Sequence, residues 1–401
     1  MTIARLFAVA ALAALAATPG ARAGEKSIKI GVLTDLTSFA STSMGPGSVV
    51  AGELAAKDFG GKVLGKPIEV ISADMQSKPD LAVQIATKWY DEEGVDLIID
   101  VPASAAALTI QRMALEKHKM FLPTVAATTD LTGKYCSPQG IHWGMDTAAY
   151  SRGLVNALSA EGAKTWFQIM PDFLVGKSTA ENANKMIEQG GGKVLATVYH
   201  PTNSTDYSSY LLQAQQSGAD VIGVGSIGLD LTTLIKQAVE FGILPSSKQK
   251  LASFLGGLSD VDAVGLKTMQ NVLLVQNFYW DQNEETRKFS KEFFAIRKKM
   301  PNFTHASDYS GTLAYLEAVK EVGTDDPTKV AAQMRAHPRD MFGQKVHVRE
   351  DGRVIYDVSL YRVKSPAESK YPWDYLQLVR TSSGEKNFLS EAENPCPLDK
   401  K

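Results

Sequence analysis

Apolar runs of strand length alternate with amphipathic stretches along most of this chain. IKIGVLT (28–34), PIEVISA (67–73), VDLIIDV (95–101) and KMFLPTV (119–125) are near-continuous apolar runs. Between them GSVVAGELAAKDFGG, PDLAVQIATKWYDEEG and a stretch through Thr109 to Lys117 have helical spacing, with Leu81, Ile85 and Trp89 at i, i+4, i+8. Strands that are apolar throughout, alternating with helices, predict a parallel sheet covered on both faces. The pattern restarts after about residue 150. Helices are expected over 148–160, 177–189, 205–217 and 229–241, and strands over 164–170, 193–199, 219–225 and 250–255. The segment 285–335 reads as mostly helical. KVHVREDGRVIYDVSLYRV then places Asp351-Gly352 between alternating residues, a hairpin signal, and WDYLQLVRT is a further strand. The fold class is α/β with two Rossmann-like lobes, and the chain crosses between them more than once.

The first 23 residues change the picture of where the protein works. Arg5 precedes an apolar run from Leu6 to Ala17, and ARA ends at Ala23. This reads as a signal peptide cleaved after Ala23, and the run is too short to span a membrane. The remaining chain is too long for one compact core. Charge is balanced, 42 Lys and Arg against 44 Asp and Glu, with no basic stripe to suit nucleic acid. The two cysteines, Cys136 and Cys396, are an even count in an exported chain. That favours a disulfide tying the C-terminal tail to an early loop, over two free thiols.

Candidate chemistry is sparse. GVGSIG (223–228) matches G-x-G-x-x-G, but the next strand ends LASFLGGL, with no carboxylate to hold a ribose, so no dinucleotide or other cofactor is implied. No G-x-S-x-G nucleophile elbow occurs, and the six histidines lack zinc spacing, so neither an enzyme nor a metal site is expected. What recurs is a small, open loop after a strand: VPASAA (101–106), VAATTD (125–130), PDFLVG (171–176), VGSIG (224–228) and LGGLS (255–259). Ligands of open parallel sheets bind outside such strand ends. Ser226 is there as a hydrogen-bonding group. The bare start at Pro102 to Ala105 leaves helix N–H groups open to an anion, where an ordinary Ser cap is the plainer alternative.

Taken in order, IKIGVLTDLT, GPGSVVAGELAAKDFGGKVLGKPIEVI, DMQSKPDLA, VPASAAALTI, VAATTDLTGKYCSP, IHWGMDT, IKQAVEFGI, NFYWD, REDGRVIYD and CPLDKK resemble the type I periplasmic solute-binding proteins of ABC importers, the Leu/Ile/Val-binding group. LTGKYCSP with a distant CPL is similar to a sub-branch in which those cysteines pair, and which is associated with aromatic carboxylates. The resemblance implies a three-crossing hinge, with crossings near Asp146, Trp280 and Lys345. Lobe 1 is then 24–145 plus 281–344, and lobe 2 is 146–280 plus 345–401. It implies a ligand carboxylate held by Ser104 and Ala105 and by Ala126, Ala127 and Thr128. Amino-acid binders of the family have a Tyr where Val175 stands and an acid where Gly256, Gly257 and Leu258 stand. A buried ammonium without an anion is expensive, so an amino-acid ligand is disfavoured unless Asp260 or Asp230 turns inward. Phe39, Phe173, Leu258 and Tyr279 are the expected apolar wall. The resemblance further implies a small carboxylate ligand, permease subunits as partners, a monomer and no catalysis. A branched-chain amino acid ligand and a sensory module are the alternatives.

Overall fold

The computed structural model describes residues 27–245 and 248–399; the expected leader, residues 1–23, lies outside them. The first sheet consists of β1 (Ile28–Thr34), β2 (Lys62–Val63), β3 (Lys66–Asp74), β4 (Leu97–Asp100) and β5 (Met120–Leu122), in the order β2-β3-β1-β4-β5. All pairings are parallel except that of β2 with β3. The apolar run of β1 is buried almost end to end because helices cover both faces of the sheet. They are α1 (Pro46–Asp58), α2 (Pro79–Asp91) and α3 (Ser104–Glu116). The fit is close: a Cβ on Gly31 of β1 would stand 2.5 Å from the Trp89 ring of α2.

The second lobe alternates α4 (Thr147–Ala160), β6 (Thr165–Pro171), α5 (Leu174–Gln189), β7 (Lys193–His200), α6 (Ser208–Ser217), β8 (Val221–Val224), α7 (Gly228–Glu240) and β9 (Lys250–Ser253). Two short helices, α8 (Leu258–Val264) and α9 (Leu266–Met269), lead to β10 (Leu273–Gln276). The chain then forms α10 (Glu284–Arg297), α11 (Phe303–Val322) and α12 (Pro327–Ala336); α10 and α11 pack on α1 of the first lobe. A small antiparallel sheet follows, β11 (Arg339–Met341), β12 (Gln344–Val348) and β13 (Val354–Ile355). β14 (Val358–Val363) and β15 (Leu376–Ser382) return to the second sheet as antiparallel strands, giving the order β15-β14-β10-β9-β8-β6-β7. A short helix, α13 (Gly384–Asn387), precedes the tail.

The chain therefore passes between the two sheets three times. The passages lie after β5, after β10 and after β13. The third comes between Ile355 and Val358, later than Lys345, because β12 is engaged by β11 on one side and β13 on the other, against α11 and α12. The Asp351-Gly352 turn forms as its sequence suggests, but its second arm is only two residues long before the chain changes sheets.

Arg353, beside that turn, is 1 % exposed and its Nη1 lies 3.4 Å from Asp146 Oδ2. Asp146 caps α4, accepting the Ala149 N–H at 2.8 Å. The Arg353 guanidinium also stands 4.6 Å over the Phe388 ring. The first and third passages are thus joined by a buried ion pair, and removing one partner of such a pair costs about 3–5 kcal/mol. Cys136 and Cys396 form a disulfide with Cα atoms 5.8 Å apart. Asn394 Nδ2 donates to the Thr129 carbonyl at 2.9 Å, so the tail is fastened beside the disulfide as well.

Candidate functional site

The C-terminal ends of the parallel strands in both sheets face each other across a cleft. Its larger chamber, about 410 Å³, has Phe39, Ser77, Pro102, Ser104 and Ala105 on the first-lobe side and Phe173, Leu174, Thr202, Asn203 and Ile227 on the second. A tight inner chamber of about 50 Å³ shares Pro102, Phe173 and Ile227 with it and adds Ala127, Tyr150, Val175, Leu255 and the start of α11. No residue lining either chamber is charged.

Two helix starts border the larger chamber. α3 begins after Ala103 and α5 after Phe173; neither has a side-chain cap and neither has an acid in its first turn. Each uncapped start carries about half a positive charge and unsatisfied N–H groups. The Ser104 side chain is 5 % exposed, and its hydroxyl is buried without a hydrogen-bond partner. A chamber with apolar walls, uncharged polar side chains and two open helix starts suits an anion carried on an apolar body.

The lobes are closed on one another. The Leu229 N–H at the start of α7 donates to the Phe39 carbonyl at 3.2 Å. The contact requires Gly228, whose φ is +53° and whose Cβ, if it had one, would lie 2.2 Å from the Phe39 oxygen. The third glycine of GVGSIG therefore admits the other lobe's backbone, where a dinucleotide site would admit a pyrophosphate. Ser259 donates to the Ser43 hydroxyl at 3.3 Å, and Asn302 Nδ2 reaches Ser259 Oγ at 3.2 Å.

The two second-lobe acids that could meet a ligand ammonium are engaged elsewhere. Asp260 is 1 % exposed and accepts the Gly257 N–H at 2.9 Å. Burial pushes its carboxyl up to about 7, against the Gly257 and Gly228 N–H groups and the Ser43 hydroxyl, which favour its charge. Asp230 Oδ2 accepts the Asn203 N–H at 3.1 Å, and burial raises its carboxyl above the usual range. Neither lines a chamber.

Of the residues singled out in the sequence, the cleft brings together Phe39, Ser104, Ala105, Ala127, Phe173 and Val175. The others lie off its walls. Ala126 is fully buried and its carbonyl is 2.7 Å from His142 Nε2. Thr128 caps the turn Thr129–Leu131, its hydroxyl accepting the Asp130 N–H. Ser226 is fully buried, with Oγ 2.8 Å from His200 Nε2. Gly257 packs against Asn302. Leu258 belongs to the second-lobe core. Tyr279 is drawn away by Trp373: its hydroxyl donates to the Trp373 carbonyl at 3.0 Å and accepts the Tyr375 N–H at 3.2 Å. Sequence reasoning missed Thr202 and Asn203, which follow the edge strand β7, and Gln76 and Ser77, which follow β3 with φ of +53° and +51°. The polar stretch DMQSKPD was the available signal for the second pair.

A chamber of this size between two lobes, walled by uncharged side chains, is suited to hold a small solute. Residues 27–370 match the family described as "Periplasmic binding protein", and the chain belongs to that family. Its members are substrate-binding components of ABC transporters, periplasmic and not enzymes. A periplasmic binding protein from Burkholderia mallei is similar at 41% identity, with a TM-score of 0.89 over 94% of this chain and 100% of that one. A branched chain amino acid ABC transporter periplasmic ligand-binding protein from Burkholderia xenovorans is similar at 39% identity, with a TM-score of 0.85 over 93% and 100%. A Rhodopseudomonas palustris solute-binding protein in complex with benzoate shares the fold at 19% identity, with a TM-score of 0.80 over 90% and 97%. The match to the Leu/Ile/Val-binding protein homolog 7 of Brucella abortus is 28% identical over 176 residues, 42% of this chain and 43% of that relative's length.

Proposed function

We propose that the protein captures a small carboxylate with an aromatic or other apolar body in the interlobe cleft and delivers it to the permease of an ABC importer. The observation that carries this reading is the pairing of two uncapped helix starts with walls that hold no charge. The ligand carboxylate sits at the start of α3 with the Ser104 hydroxyl. Phe39, Phe173 and Ile227 enclose its apolar part. Closure follows from contacts the ligand makes to both lobes at once, which stabilise the closed state over the open one. On this reading the protein is exported, loses its leader after Ala23 and works as a monomer in the periplasm.

The names of two relatives favour a second reading, a branched-chain amino acid. Its ammonium would need Asp230 to exchange the Asn203 N–H for the ligand. A thermal-shift screen of ligand-free protein separates the two. Benzoate-type acids should raise the melting temperature by mass action, and benzamide should not. Stabilisation by leucine at concentrations where every benzoate-type acid is silent rejects the first reading.

A further inference from the structure

Behind the α3 start lies a cluster that the binding role leaves unexplained. Asp100 ends β4 and Asp308 stands on α11; both are wholly buried. The Thr124 hydroxyl joins them, accepting the Asp100 N–H at 2.9 Å and donating to Asp308. Both Asp100 carboxyl oxygens and the second Asp308 oxygen have no hydrogen-bond partner at normal distance. The Ser48 hydroxyl of α1 stands beside both carboxyls, and that of Thr34 beside Asp100.

The same residues hold a strained turn. Asp100 and Val101 have φ of +72° and +56°, and left-handed backbone costs a non-glycine residue about 1–2 kcal/mol. Besides the Thr124 bond, the Val101 N–H donates to the Leu33 carbonyl at 2.9 Å. Three residues beyond Val101, α3 begins, already aimed into the cleft.

Two carboxyls in one dry site cannot both ionise cheaply. The titratable groups around them add no positive charge. Asp35, at the end of β1, is bound by the Ser38 and Ser77 hydroxyls. His305, one turn earlier on α11, is pushed down to about 4 by burial and is neutral, its ring placed between the Met44 carbonyl and the Asn302 N–H. α1 contributes only Ser48, and β5 is followed by Thr124.

We propose that Asp100 and Asp308 are positioning residues: protonated, they hold the strained turn and leave the α3 start receptive to anions, and loss of a proton from the pair places a buried negative charge behind Ser104 that repels them. Burial raises Asp100 above the usual carboxylate range, and burial together with the Asp100 charge raises Asp308 well above it. The pair therefore gives up its first proton at a higher pH than an exposed carboxyl does, and carboxylate affinity falls as that proton leaves.

The inference deepens the carboxylate reading, and its affinity arm rests on it; its electrostatic arm does not. The test begins with ligand-free protein. The ¹⁵N amide shifts of Ser104 and Ala105 should move with a single midpoint well above about 4, the ordinary carboxylate value, in the wild type. That midpoint should shift in Asp100→Asn, because Asn tolerates the left-handed backbone and removes the like charge that raises Asp308. Flat amides in the wild type, or the same midpoint in Asp100→Asn, overturn the proposal. If that variant does not fold, the assigned Asp100 carboxyl carbon of the wild type reads the proton directly, and a midpoint near 4 overturns it. In the second arm, benzoate binding should weaken by about tenfold across the interval in which the amides titrate in the wild type, and that interval should shift with the amides in Asp100→Asn. Titrating amides without benzoate binding at any pH count against the carboxylate reading and support the proton pair.

Discussion

The Leu229 amide of the second lobe donates to the Phe39 carbonyl of the first, 3.2 Å away, and Gly228 makes room for the approach. This closing contact is made by backbone on both sides, so it does not depend on which side chains Phe39 and Leu229 carry.

Gly228→Val should weaken ligand binding by at least about tenfold, since a Cβ in the path of the Phe39 carbonyl must hold the lobes apart or shift the loop. Small-angle scattering with saturating ligand checks this. The variant should retain the open radius of gyration that the wild type loses.

Ser104→Ala should separate stability from affinity. Its hydroxyl is buried and unpartnered without ligand, so melting temperature should hold or rise slightly. Hydrogen bonds to charged groups are worth about 1.5–3 kcal/mol, so carboxylate affinity should fall by roughly ten- to a hundredfold. Differential scanning calorimetry beside isothermal titration reads both quantities in one preparation.

The disulfide closes residues 260 apart in sequence. By the chain-entropy model, replacing Cys136 and Cys396 together with Ser should cost about 5–6 kcal/mol in urea denaturation, and reduction of the wild type should give the same loss. Ligand affinity should not change, because neither cysteine borders the chambers.

Asp260 and His305 should tilt the pH–stability curve in opposite directions. Burial pushes Asp260 up to about 7, so what this group contributes is fully present below about pH 4 and is lost as pH rises through 7. His305 is pushed down to about 4, so its contribution is present above about pH 6.5 and is lost as pH falls through 4. Asp260→Asn keeps an acceptor for the Gly257 N–H and removes the first slope. Chemical denaturation should then show stability rising more steeply with pH than in the wild type. The difference across pH 4–7 is at most about 4 kcal/mol.

Much of the fold was legible because its strands are apolar on both faces and its helices carry strong periodicity. β1 spans the same seven residues, Ile28–Thr34, that its apolar run delimits. β10 escaped notice: four buried residues, LLVQ, are too few to show a period and no helix signal flanks them clearly. α5 begins at Leu174, three residues before its expected start, because Phe173 serves as an N-cap without any capping side chain. In the cleft, the small-residue junction at Pro102 to Ala105 was visible as an absence of bulk. The aromatic wall was visible only in part: Phe39 and Phe173 line the cleft but Tyr279 does not, because ring placement is decided by partners distant in sequence. Tyr279 answers to Trp373, and Ser226 to His200. No spacing along the chain encodes those pairings.

The most direct measurement is calorimetric titration of unfolded-and-refolded, ligand-free protein with benzoate, leucine and benzylamine in turn. Benzoate binding at one site per chain, with a negative heat-capacity change and at least tenfold preference over leucine, is the predicted result. Tight leucine or benzylamine binding with no heat from benzoate would contradict an uncharged cleft that receives an anion at its helix starts.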